Sequence, residues 1–344
     1  MKWWLPTVAV VLLLSVSPPA RSQQIVFDFE SLPRATGGGF WPTWDPFLER
    51  VIFRRDVKDT DEAALLVVPR EGQGLAICTL GDFSGASRIN IWDAQGSPNG
   101  EVIASAVVTY DSRERETPLV KQLLLAYRSD GTLRKAWDSN PYHHHLVSGD
   151  SEGNIFALGD ADDMPSDYPL LVKYSPQGQV VAAFLPATTF PRGDQIFWGA
   201  GQKGQSQMFV KQGRLFLYVA ATQEFFSFSL QGQLQSRVSL ASAFDRIAEK
   251  NEAVALSTYV LSVDSRGDII VQVGLFKQEP SKSNLYALAR IAPDGTLKST
   301  TVPGVAATAG FPFLGLTTSD TPVYEEPYGS ASVRVDLANH RDLP

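Results

Sequence analysis

"VLSVDSRGDIIVQV", residues 260–273, reads as an apolar strand, a polar turn around Gly267 and a second strand rich in β-branched residues. It also spells Arg266-Gly267-Asp268, which in an exported protein suggests an adhesion loop. "LVSGDSEGNIFAL", residues 146–158, decides between the two readings. It carries the same Asp-Ser-x-Gly turn and the same Ile afterwards, with Glu152-Gly153-Asn154 in place of the triplet. Glycine accepts the positive φ that tight hairpins need, and a neighbouring Asp or Asn bonds the local backbone. Residues 264–268 are therefore read as the turn of a repeated hairpin. A second triplet, Arg192-Gly193-Asp194, has no counterpart at its place in the other repeats and is expected in a long loop.

The hairpin recurs along the chain. "INIWDAQGSPNGEVIAS" (89–105) and "MFVKQGRLFLYVA" (208–220) join the two copies above, so the turn glycines are Gly100, Gly153, Gly213 and Gly267, spaced 53, 60 and 54 residues apart. A degenerate copy, "FLGLTTSDTPVYEE" (313–326), puts Thr321 another 54 residues on. A second hairpin interleaves with the first, with glycines Gly131, Gly178, Gly232 and Gly295 and a partial copy at Gly74. Each repeat is thus four short antiparallel strands, a to d. Such a unit cannot bury its apolar faces alone, and radial stacking buries them against neighbours.

The expected fold is an all-β β-propeller with four-stranded antiparallel blades. Clear repeats run over 88–304. The ends, 23–87 and 305–344, are expected to complete the ring together, c- and d-like strands coming from the front and a- and b-like strands from the back. Six blades is the expected count, and five is the alternative. Residues 23–344 form a single propeller domain on this reading.

The pattern Asp-x-x-Gly-Asn/Asp-Ile followed by Pro-x-Gly occurs at Asp150 to Ile155 with Tyr174 to Gly178, and at Asp264 to Ile269 with Ile291 to Gly295. It resembles the NHL-type repeats of six-bladed propellers common in secreted bacterial proteins. The third repeat departs from it, because Lys211-Gln212-Gly213 lacks the first Asp. The resemblance implies architecture; function must be argued from a site.

Residues 1–22 have the layout of a secretory signal: Lys2, an apolar run from Trp3 to Val16, Pro18-Pro19, then Ala20-Arg21-Ser22. Cleavage after Ser22 and a secreted or periplasmic location are expected. Later residues contain no apolar run long enough to span a bilayer. The formal charge is −7, and −9 without Lys2 and Arg21, which argues against a nucleic-acid partner. The single cysteine, Cys78, allows no internal disulfide and is expected in the core. A monomer with a protein or small-molecule partner is expected.

In a propeller the b–c and d–a loops lie together on one face, where the channel opens, and binding usually resides in such loops. Three features fall there. His143, His144 and His145 enter an innermost strand, where alternation lets at most two face one way. Asp160, Asp162, Asp163 and Asp167 occupy the following b–c loop and are the candidate ligands for Ca²⁺ or another divalent metal. Arg192, Asp194 and Trp198 lie in a d–a loop and join the histidines as candidate ligand-binding residues. No G-x-S-x-G elbow, H-E-x-x-H or cysteine pair is present. The reading is a binding or scaffold propeller without a catalytic set. The alternative is a metal-assisted hydrolase or lyase at the channel mouth, with His145 as its candidate histidine. Residues 243–256 are the one helix-like stretch, expected to pack or to cap the channel.

Overall fold

The structure is a computed structural model and describes residues 23–28, 41–58, 62–69, 74–111, 118–161, 165, 167–190, 205–276, 285–301, 313–329 and 332–337. The first described strand is β1 (Gln23–Asp28). The first blade is β2 (Trp41–Asp45), β3 (Arg50–Arg54), β4 (Ala63–Pro69) and β5 (Leu75–Thr79). The second is β6 (Arg88–Gly96), β7 (Val102–Tyr110), β8 (Leu119–Tyr127) and β9 (Leu133–Asp138). The third is β10 (Tyr142–Gly149), β11 (Ile155–Ala161), β12 (Pro169–Tyr174) and β13 (Val180–Pro186). The fourth is β14 (Gln207–Lys211), β15 (Arg214–Val219), β16 (Glu224–Ser229) and β17 (Leu234–Ser239). After α1 (Ala241–Lys250), the fifth is β18 (Ala255–Val263), β19 (Ile269–Phe276), β20 (Leu285–Ile291) and β21 (Leu297–Thr301). A further sheet joins β22 (Phe313–Leu316), β23 (Pro322–Gly329) and β24 (Ser332–Leu337) to β1. All pairings are antiparallel, in meander order within the five blades.

Burial follows position within a blade. β19 is buried at seven of its eight residues, whereas no residue of the outer strand β17 is buried. A strand covered on both faces reads as a continuous apolar run, which is why "IIVQVGLF" does not alternate. The apolar clusters lie between consecutive sheets. Ile52 and Leu65 meet Ile89 and Val102; Ile103 and Leu124 meet Val147 and Ile155. Phe156 and Leu158 meet Met208 and Leu217; Phe216 and Tyr218 meet Val263 and Ile269. Ile270 and Leu288 meet Phe313 and Leu316. Phe244 and Ile247 place α1 in the fourth of these clusters, so it packs as a side buttress. Cys78 is a buried free thiol, and burial pushes its pKa up to about 12.

The a–b turns repeat one device. Asp150 Oδ1 accepts from the backbone N–H of Glu152 at 3.0 Å and of Asn154 at 2.9 Å. Asp264 Oδ1 accepts from Arg266 and Asp268, both at 2.9 Å. Gly153 and Gly267 take φ of +79° and +85°. In the triplet at 266–268, Asp268 is buried and its carboxylate meets Lys298 Nζ at 2.6 Å and Arg290 at 3.6 Å. It is an internal ion partner rather than a displayed one.

Two sequence expectations are corrected. The front of the chain supplies a whole blade, β2 to β5, because the β2–β3 hairpin turns without glycine, on Glu49 at φ +47°. The β22–β24 sheet therefore draws one strand, β1, from the front and three from the back. In its hairpin Asp320, not Thr321, takes the left-handed position, at φ +62°, while Thr317 Oγ1 accepts from Thr321 N–H as Asp150 and Asp264 do elsewhere.

Candidate functional site

The first strands of the sheets converge on one cavity of about 330 Å³. β2, β6, β10, β14, β18 and β22 all contribute lining residues. Four of these strands carry a one-residue bulge, three of them at a common level. The register skips Trp92 in β6, His145 in β10 and Tyr259 in β18. Each stands eight residues before its turn glycine, Gly100, Gly153 or Gly267, so the bulges fall at one level of the repeat. A fourth bulge, at Leu314 in β22, lies nearer its turn. A bulge breaks the ladder locally and re-aims one side chain. Here the residues so re-aimed are an indole, an imidazole and a phenol.

Polar side chains from neighbouring strands satisfy the backbone at and beside these bulges. Asp93 Oδ2 accepts from Val147 N–H at 3.0 Å, and Ser105 Oγ donates to His144 C=O at 2.6 Å. Gln207 donates to Tyr259 C=O at 2.9 Å and accepts from Leu261 N–H at 2.8 Å. Gln272 Oε1 accepts from Phe313 N–H at 3.0 Å. On β14, which has no bulge, Ser148 Oγ likewise accepts from Val210 N–H at 2.9 Å. An unpaired buried N–H is costly, and these contacts satisfy the inner edges of the innermost strands, bulged or not.

The cavity holds charge as well as apolar surface. Arg54, Asp93, Gln95 and Lys211 line it beside Trp44, Phe209, Leu261 and Phe313. Burial raises the Asp93 pKa, against the lowering influence of Arg54, whose Nη1 lies 3.8 Å away. Gln95 Nε2 donates to Met208 C=O at 2.7 Å, both residues lining the cavity. Lys211 ends β14 where other hairpins place the capping Asp, Ser or Thr. Its Nζ is 3.6 Å from Asp320 Oδ1, and burial lowers its pKa despite that carboxylate.

The three histidines separate as strand alternation requires. His145 Nε2 is 3.1 Å from Asp160 Oδ1, and His143 Nδ1 is 4.0 Å from the same oxygen. His145 also stacks on Trp92, with centroids 4.4 Å apart and planes 12° from parallel. The Asp160 carboxyl is lowered overall: burial works to raise it, and the hydrogen bond and charge of His145, with His143, outweigh that. His144 is 2% exposed, with Nε2 2.9 Å from the Tyr174 hydroxyl, and burial lowers its pKa to about 3. It belongs to the core rather than to the channel mouth. Asp167 is exposed and apart from this group of contacts. Among the described residues no group of three or more His, Cys, Asp or Glu is arranged to hold a metal ion. Asp162, Asp163, Arg192, Asp194, Trp198 and the signal-like residues 1–22 lie outside the described residues. Sequence reading missed Trp92, Asp93, Lys211 and Tyr259, although a fixed count back from the turn glycines finds Trp92, His145 and Tyr259.

No helix among the described residues is long and apolar enough to cross a membrane. No protein-family model and no curated protein matches the chain. Among solved structures, a member of the DUF4221 family from Bacteroides vulgatus ATCC 8482 is similar at 10% identity, with a TM-score of 0.52 over 91% of this chain and 95% of that one. A putative exported protein from Bacteroides fragilis NCTC 9343 is similar at 11% identity and a TM-score of 0.47, over 87% of this chain and 94% of that one. A streptogramin B lyase is similar at 10% identity and a TM-score of 0.45, over 91% and 97% of the two chains. The likeness to the DUF4221 member, at 10% identity, is one of fold alone.

Proposed function

We propose that the chain is an exported, closed six-bladed propeller that binds a small molecule in its central channel, entered from the b–c and d–a loop face. The observation that carries this is the cavity of about 330 Å³ framed by the first strands of all the sheets. That volume falls within the range of small-molecule pockets, roughly 300–1,000 Å³. Ring closure is supported by two contacts of β22. Phe313 and Leu316 pack on Ile270 and Leu288 of the fifth blade, and Trp44 Nε1 of the first blade donates to Leu316 C=O at 3.2 Å. β1, paired with β24, would be the outer strand of the closing blade. Export rests on the signal-like residues 1–22.

A second reading, a propeller-type hydrolase or lyase that uses a divalent metal, is favoured by one observation: His143 and His145 both approach Asp160 Oδ1. Asp162 and Asp163 follow in the same loop and would be its further ligands.

A ligand-observed NMR screen of a small-molecule collection tests the binding reading, with Ser262→Trp as control. Ser262 lines the cavity, and the larger ring fills it. Hits that bind the wild-type protein and are lost in a folded Ser262→Trp variant support channel binding. Hits untouched by that variant contradict it. Calorimetry with Ca²⁺, Mg²⁺ and Zn²⁺ tests the second reading, which falls if none binds.

A further inference from the structure

We infer that the ligand class of this channel is a planar aromatic or heteroaromatic molecule, recognised by stacking at Trp92, His145 and Tyr259. This rests on the channel-binding reading above and adds the chemistry of the ligand.

The three rings share an origin. Each occupies the extra position of a bulge at the same level of its repeat. Giving up a ladder pair is unfavourable, and bulges recur beside sites where a side chain must be re-aimed. Apolar packing between blades does not need them. β14, whose Met208 and Val210 fill the same kind of interface, runs without one. The residues next to the three bulges, Asp93, Leu146 and Val260, line the cavity, and Tyr259 lines it directly. Tyr259 thus stands in the lining, and Trp92 and His145 each stand one residue before it along their strands.

The setting of Tyr259 points the same way. Its ring lies over Gly274, where an added Cβ would come within 2.6 Å of Cε2. It rests edge-on against Tyr286, with centroids 5.2 Å apart. Yet it remains 43% exposed. A bare glycine and a supporting aromatic hold the phenol in one orientation without covering it. Across the second and third blades, Trp92 and His145 form a parallel stack, the geometry in which a planar aromatic ring is bound.

The polar groups nearby argue for an aromatic ring over a sugar. A sugar requires a fan of unengaged donors and acceptors. Here Asp93 is held by Val147, Gln95 by Met208, and Gln207 by Tyr259 and Leu261. With these groups engaged, ring faces are what remains beside the bulges, and the cations Arg54 and Lys211 in the same cavity suit the carboxylate of an aromatic acid. Offset or edge-to-face aromatic contact adds to apolar burial.

The test uses matched probes that differ in planarity but not in charge. 4-Hydroxybenzoate and phenylacetate are titrated against trans-4-hydroxycyclohexanecarboxylate and cyclohexylacetate, by calorimetry and ligand-observed NMR. The aromatic member of each pair is expected to bind about tenfold more tightly, with a similar loss in Tyr259→Leu or Trp92→Leu. Tyr259→Phe keeps the ring and is expected to bind within about threefold of wild type, which separates lost stacking from a damaged fold. Equal binding of saturated and aromatic probes, or no loss in either Leu variant, overturns stacking and leaves channel binding standing. If neither aromatic probe binds, the inference falls, and channel binding is judged by the Ser262→Trp screen alone.

Discussion

The Asp93 carboxylate of the second blade accepts a hydrogen bond from the Val147 backbone N–H of the third at 3.0 Å, across 54 residues of sequence. It holds β10 just beyond the residue at which that strand bulges. Removing it leaves Val147 N–H without an acceptor and Arg54 without its nearest carboxylate. Asp93→Ala is expected to destabilise the fold by about 3 kcal/mol, and Asp93→Asn, which keeps an acceptor, by about 1 kcal/mol. Urea unfolding of the two variants measures the difference.

Gly274 and Tyr259 form a second pair. An alanine at 274 drives its Cβ into the Tyr259 ring. Gly274→Ala is expected to cost about 2 kcal/mol, and clearly less in a Tyr259→Ala background. A double-mutant cycle by thermal or urea unfolding reads the coupling, and additive effects would show that the ring does not rest there.

His144 sets part of the acid sensitivity. Its ordinary pKa of 6.5 is lowered to about 3 in the fold, chiefly by burial and then by the charge of His145. Its Nε2 is matched to Tyr174, while Nδ1 has no partner to receive a second proton's N–H. The unfolded chain takes up a proton below pH 6.5 that the folded chain refuses until about pH 3. This contribution to stability is full above pH 6.5 and falls with acidification, by up to about 1.4 kcal/mol per pH unit. Between pH 6.5 and 5, His144→Gln is expected to flatten the fall in unfolding free energy relative to wild type.

The adhesion-like triplet makes a contrasting pair of variants. Arg266 has a side chain 68% exposed, so Arg266→Ala is expected to change stability by less than about 0.5 kcal/mol. Asp268 is buried between Arg290 and Lys298, and Asp268→Ala is expected to cost about 2 kcal/mol. A displayed adhesion motif would show no such cost at Asp268.

The repeat was legible because its turns are spelled in backbone chemistry. Asp150 and Asp264 must accept two N–H groups, and Gly153 and Gly267 must take positive φ, so the letters recur with the structure. Where other residues serve, the signal fades. Glu49 and Asp320 adopt the left-handed turn conformation without being glycine, so the first hairpin goes unread and the turn of the last is centred one residue late, on Thr321. Strand alternation correctly kept the three histidines from converging. The site itself was hidden because a bulge is a fault in register, visible only when two strands are paired. Trp92 and Tyr259 are ordinary strand residues until Ala106 and Ser105, or Val273 and Gln272, are set opposite their neighbours.

The most direct test of channel binding is a crystal structure of the protein equilibrated with 4-hydroxybenzoate. The account predicts the first strands of six blades closed around the cavity, with the ligand inside it and its ring against Tyr259 or the Trp92–His145 stack. A first-strand ring left open between β22 and β2, or a ligand bound only on the outer surface while the cavity holds water, would contradict it.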